Sequence, residues 1–137
     1  MGFFISIIYP IFDNMKSIIA KNNLSYIGLN NKLLWKSKED LKHFKNLTLD
    51  CKLLVGYNTF QELPPLKDRT IILDIRDEYI TDVDWCIGGK KTYEKYCEYF
   101  DELHISYIND NSIGDTMFPD LRDLKKDCKV YRYYFDV

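Results

Sequence analysis

No stretch of this chain stays apolar for the roughly 18–20 residues that a membrane-spanning helix needs. Its four cysteines, at 51, 86, 97 and 128, include no C-x-x-C pair, and its two histidines, His43 and His104, are far apart in sequence. The clustered donors of a zinc site are therefore missing, and no metal is expected. The cysteines are 35, 11 and 31 residues apart; without a signal peptide no secreted disulfide framework is expected, and reduced thiols in a cytosolic protein are the reading. Charge of one sign is absent too: 19 Lys+Arg face 21 Asp+Glu, a net −2. That balance speaks against a protein built to grip nucleic acid or an anionic membrane. There is a single alanine, and only 4 arginines beside 15 lysines, so each arginine earns scrutiny. Internal repeats and low-complexity segments are missing as well.

What remains is rich in core material. Over 137 residues, 46% are hydrophobic and 15% aromatic, with 11 Tyr and 8 Phe, enough for one domain without staples. Residues 3–12 form a short apolar run with no basic flank before it and no small-residue cleavage site after it, a poor fit to a signal peptide. Exposed, such a β-prone run invites aggregation. We therefore read residues 1–14 as an extension, either an extra strand or a start not native to the working protein, ahead of a domain over 15–137.

From there strands and helices alternate. Residues 17–20, 51–55, 70–73, 84–87, 103–108 and 130–135 read as strands. A helix begins after the good N-cap Ser37, with Leu41, Phe44 and Leu47 on one stripe, and a short helical turn covers 59–63. A further helix is expected to bury Tyr93, Tyr96, Cys97 and Phe100. The expected fold is α/β: one domain with a mostly parallel, mixed central sheet and helices on both faces.

Ligands favour such a sheet where helices begin just beyond strand ends. Gly56 leads into Asn58-Thr59, and Gly88-Gly89 leads into Lys90-Lys91-Thr92. Each is either a phosphate cradle or a structural turn, and residues alone favour the turn. Asp40, one turn inside the helix and four residues before Phe44, also reads two ways. Ser37-x-x-Asp40 has capping-box-like spacing, and an acid suits the first turn of a helix dipole. Alternatively the carboxyl points into an apolar cleft, where burial would raise its pKa and fit it to supply a proton.

Together these segments resemble the dihydrofolate reductase family. The resemblance runs through Ile27-Gly28-x-x-Asn31-x-Leu33-Leu34-Trp35, Asp40-Leu41-x-x-Phe44-Lys45 and Thr48. It continues through Gly56-Tyr57-Asn58-Thr59-Phe60, Leu66-Lys67-Asp68-Arg69, Ile87-Gly88-Gly89 and Gly114-Asp115-Thr116-Met117-Phe118-Pro119. The match spans Met15 to about Leu121, with five segments in order. It implies hydride transfer from NADPH to 7,8-dihydrofolate, with Asp40 promoting protonation of the pterin ring. Ile18, Ile19, Ala20, Leu33, Leu41 and Phe44 would wall the substrate, Ser106 would steady the acid, and Arg69 would clamp the glutamate-tail carboxylate. Ala20, Ile27, Gly28, Asn31 and Trp35 would adjoin the nicotinamide, with the 28–33 loop closing over it. Gly56, Tyr57, Asn58 and Thr59, with Ile87, Gly88, Gly89, Lys90, Lys91, Thr92 and Tyr93, would hold the rest of the cofactor. The Gly88–Gly89 peptide would be cis.

The departures lie on the cofactor side. Tyr57 stands where the family has an arginine for the 2′-phosphate; Arg76, with help from Lys91, is the expected substitute. Lys90 replaces a third glycine, and Leu34 stands where a proline normally precedes the tryptophan. The stretch 77–84 is too short for the usual strand and helix, and the C-terminus has room for one strand rather than a hairpin, so residues 3–9 are read as replacing a lost edge strand. A non-catalytic relative that binds ligand or serves a structural part is the alternative to an active enzyme; reduction of another heterocycle fits the residues less well. The expected partner is the small-molecule substrate alone, without nucleic acid or membrane, and a monomer is the default.

Overall fold

The structure, a computed structural model, describes residues 14–137. The edge strand expected over 3–9, and nearly all of the extension over 1–14, lie outside the described residues. Six strands form one sheet: β1 (Met15–Asn22), β3 (Lys52–Val55), β4 (Thr70–Leu73), β5 (Trp85–Cys86), β6 (Phe100–Asn109) and β8 (Lys129–Asp136), in the order β4-β3-β5-β1-β6-β8. Every neighbouring pair is parallel. The central strands read as near-continuous Ile/Leu/Val runs because parallel strands are covered on both faces. Two short strands, β2 (Tyr26–Gly28) and β7 (Thr116–Met117), pair antiparallel beside this sheet.

Alternation along β1 divides the core in two. Ile18 faces one side with Leu53 and Trp85, where Phe44 and Leu47 of helix α1 (Lys38–Thr48) cover them. Met15 and Ile19 face the other side with Leu54 and Cys86, beneath Tyr93 and Tyr96 of helix α3 (Lys90–Tyr96). A third helix, α2 (Tyr57–Glu62), follows β3. Leu53, Leu54 and Phe100 are fully buried; each such side chain contributes about 1.5–3 kcal/mol relative to exposure.

Two expectations are corrected. The helix expected to carry Phe100 ends at Tyr96; a 3-10 turn (Cys97–Tyr99) follows, and Phe100 opens β6 opposite Met15. Phe100 is buried in either arrangement, so apolar spacing could not separate them. Leu41 is 49% exposed rather than on the buried stripe of α1. That stripe runs through Asp40, Phe44, Leu47 and Thr48, an i, i+4, i+7, i+8 series, which turns Leu41 about 100° away.

The final strand extends over eight residues and pairs with β6 along its whole length, Ser106 opposite Tyr133 and Ile108 opposite Phe135. Its Tyr134, and Val137 just after the strand, are exposed.

Candidate active site

Asp40 is both cap partner and buried acid. Ser37 Oγ accepts the Asp40 backbone N–H at 3.2 Å and itself donates to Asp136 O at 2.9 Å, so the helix start is anchored on the last strand. Such a cap stabilises by about 1 kcal/mol. The capping reading is therefore met by Ser37 and the Asp40 main chain, which leaves the side chain available. That side chain is 7% exposed, and burial pushes its carboxyl above the usual carboxylate range. The Ser106 hydroxyl, near enough to oppose this, is buried without completing a hydrogen bond among the described residues. Register places Ser106 opposite Ala20, so acid, hydroxyl and the end of β1 meet.

The walls are partly as expected. Ile18 and Phe44 belong to one apolar cluster, and Ile19 joins the cluster beneath α3, because adjacent strand residues face opposite sides. Leu33 is 50% exposed, and Leu41 on α1 is likewise exposed. Arg69 is fixed by Nε to Lys67 O at 2.9 Å and Nη1 to Thr48 Oγ1 at 3.3 Å, with its guanidinium carbon 6.0 Å from the centre of the Phe44 ring. Its Nη2 has no such tie among the described residues.

Trp35, five residues before Asp40, is buried with its Nε1 unpartnered among the described residues. The preceding loop turns at Asn30-Asn31, both at positive φ (53° and 64°), between reciprocal bonds of Leu29 and Lys32. Asparagine tolerates that region, and the pair makes a two-residue hairpin turn. Asp115 holds this loop: its Oδ2 accepts from Asn30 N at 3.0 Å, and its N–H donates to Gly28 O at 3.0 Å. The Asn30 N–H, with the Thr116 hydroxyl, keeps the Asp115 carboxyl below the usual range. The sequence reading quoted Asp115 only within a motif and missed this role.

The two glycine turns converge. Gly56 N–H donates to Gly88 O at 2.7 Å, and the Gly88–Gly89 peptide is cis as the resemblance implied. A side chain on Gly56 would collide with Thr92 Oγ1, and one on Gly89 with Thr59 Oγ1. The glycines thus serve as structural turns that pack α2 against α3, and the same approach sets the beginnings of both helices side by side. Beneath them Tyr93 Oη donates to Ile18 O at 2.7 Å, a bond that ties α3 to β1, and burial raises that phenol far above its usual range. Cys86, fully buried below Ile87, is pushed up to about 12 and is chemically inert.

Farther out, contacts thin. Tyr57 is 59% exposed and accepts only from Gln61; Asn58, Arg76 and Lys91 are exposed, and Lys90 lies near Asp120. The shortened stretch 74–84 is tied down by one lysine. Lys95 Nζ contacts both Asp74 oxygens at 3.0 and 3.2 Å and donates to the carbonyls of Ile75, Arg76 and Glu78. Tyr96 Oη donates to Asp74 at 2.7 Å and accepts Ile80 N–H. No sequence signal marked this latch, since its members are about 20 residues apart. A surface cleft of about 600 Å³ near Lys36 and Asp136 shares only Leu41 with the constellation.

Among the described residues no group of three or more His, Cys, Asp or Glu is placed to hold a metal, and no helix is long and apolar enough to cross a membrane.

Comparison with known proteins agrees with this geometry. The family described as "Dihydrofolate reductase" matches residues 14–86. A dihydrofolate reductase of Buchnera aphidicola subsp. Schizaphis graminum is 30% identical over 139 residues, covering 86% of this chain and 84% of the relative. The type 3 dihydrofolate reductase of Salmonella typhimurium is 32% identical, covering 77% of each. The solved structure of Enterococcus faecalis dihydrofolate reductase, complexed with NADP(H) and RAB-propyl, superposes with a TM-score of 0.70 at 25% identity, over 81% of this chain and 80% of that one.

Proposed function

The chain belongs to the dihydrofolate reductase family, and from that premise we propose that it reduces 7,8-dihydrofolate to tetrahydrofolate with NADPH, in support of one-carbon and thymidylate metabolism. The observation that carries the reading is the buried Asp40 carboxyl, on the stripe of α1 that also holds Phe44, facing the buried and unpartnered Ser106 hydroxyl; Trp35 Nε1, five residues before the acid, is a second buried donor without a partner among the described residues. A flat heterocycle with an amide-like edge offers the acceptors and donors that this set lacks. Nothing observed favours the non-catalytic alternative.

The chemistry is saturation of one C=N bond: hydride to carbon, proton to N5. When bound, NADPH supplies the hydride. The residues present fit that group. The joined starts of α2 and α3 present main-chain N–H groups, Thr59 and Thr92 border the crossing, and the 28–33 loop with Trp35 adjoins the place of the nicotinamide. Asp40 bonds the pterin edge and promotes protonation at N5, helped by apolar surroundings that keep its carboxyl able to hold a proton. Ser106 steadies the acid, Ile18 and Phe44 clasp the ring, and Arg69 pairs with the glutamate-tail carboxylate. Arg76, with Lys91, takes the 2′-phosphate. We place the reaction in the cytoplasm, in keeping with four unpaired thiols, and take small molecules to be its only partners.

The test is purified protein with dihydrofolate and NADPH, followed by loss of nicotinamide absorbance. Turnover supports the reading. Tight antifolate binding without NADPH binding or turnover would establish the non-catalytic alternative instead.

A further inference from the structure

Helix α1 carries a second titratable group on the face that holds Asp40. His43 follows Asp40 by three residues, the spacing that makes side chains neighbours on a helix. Its ring packs on Tyr133, centroids 4.1 Å apart, and on Phe135 at 5.4 Å. Its Nε2 is buried with no hydrogen-bond partner among the described residues. An apolar ring would fill this place without leaving a buried nitrogen unpaired, a penalty of about 1–3 kcal/mol. The nitrogen therefore asks for a reason beyond packing.

We propose that His43 is a positioning residue that acts on Asp40 through charge: one helical turn from the acid, its protonated ring favours the ionised form of the neighbouring carboxylate. The inference rests on Asp40 as the acid of the reductase and adds a regulator of that same site.

The titratable groups facing His43 are Asp40 on its own helix, His104 on β6 and the Tyr133 hydroxyl on β8. His104 is occupied at both nitrogens, Nε2 with Glu102 Oε1 and Nδ1 with Tyr133 Oη, each at 2.9 Å, and is stacked on Tyr131. His43 is the histidine free to respond. Burial lowers its proton affinity, the Asp40 carboxylate raises it, and His104 opposes a second positive charge. For Asp40, burial raises the affinity, while Ser106 and then the His43 charge lower it. Two groups that influence each other in this way titrate as a pair, each setting the other's midpoint.

The full-length protein without ligands supplies the test, because it has only two imidazoles to follow by NMR during a pH titration. Asp40→Asn should lower the His43 midpoint by about half a pH unit, roughly threefold in proton affinity. Reciprocity requires that His43→Gln raise the midpoint of the Asp40-dependent rate by a similar amount. His43→Phe should do the same, and agreement between a polar and an apolar replacement separates charge from packing. A merely structural role would lower the melting temperature and leave both midpoints in place. Identical His43 midpoints with Asp40 and with Asn overturn the proposal. This result is independent of turnover, so failure of the pair and failure of the reductase reading are told apart.

Discussion

The residues proposed for the substrate and those proposed for the nucleotide are held by different kinds of contact. Asp40, Ser106 and Ile18 are buried, set on α1, β6 and β1, and cross-linked by strand register, the Ser37 anchor and the Tyr93–Ile18 bond. Tyr57, Arg76 and Lys91 are exposed, and the stretch that carries Arg76 depends on Lys95 and Tyr96. A site made of core elements keeps its geometry when the chain is trimmed; a site on the periphery must be re-fastened. Here one half-buried lysine, bonded to a carboxylate and three carbonyls, does the fastening.

The contrast can be broken from either side. Arg69→Leu should raise KM for dihydrofolate about a hundredfold, since a charge-assisted fork contributes roughly 1.5–3 kcal/mol. NADPH binding, measured by fluorescence titration, should be unchanged; equal loss for both ligands would dissolve the division. Lys95→Met should weaken NADPH binding about tenfold and lower the melting temperature, with the KM for dihydrofolate held. Its ion pair is largely shielded, so its loss leaves Asp74 and three carbonyls short of a donor. Unchanged stability and NADPH affinity would show that the latch is incidental. Arg76→Ala should weaken NADPH binding several-fold and leave NADH binding unaltered; parallel loss for both nucleotides would remove Arg76 from the 2′-phosphate.

This division also governs what was legible in the sequence. Asp40 and Phe44 share α1 four residues apart, so helix spacing put them on one face, while the role of the acid came from the family resemblance rather than from spacing. Parallel strands betray themselves by continuous apolar runs, which made the sheet readable. Leu41 misled because apolar character outweighed the chance that an acid takes the buried stripe. Phe100 misled because helix and strand would both bury it. The Asp74–Lys95–Tyr96 latch and the His43–Tyr133 packing arise only from tertiary approach, and no spacing announces them. Asn30-Asn31 was a usable turn signal that the motif reading passed over.

The central claim is that burial fits Asp40 for catalysis at a cost in stability. The folded protein holds this proton more tightly than the unfolded chain does, so the linked stability is complete below the unfolded carboxyl pKa and is lost as pH rises through the raised folded value. The most direct measurement pairs initial rates with melting temperatures for wild type and Asp40→Asn, at neutral and at acidic pH. The account predicts a rate lower by about 10²–10⁴-fold and a higher melting temperature at neutral pH, a gain that shrinks as the medium is acidified. A variant that turns over dihydrofolate as fast as wild type would contradict it.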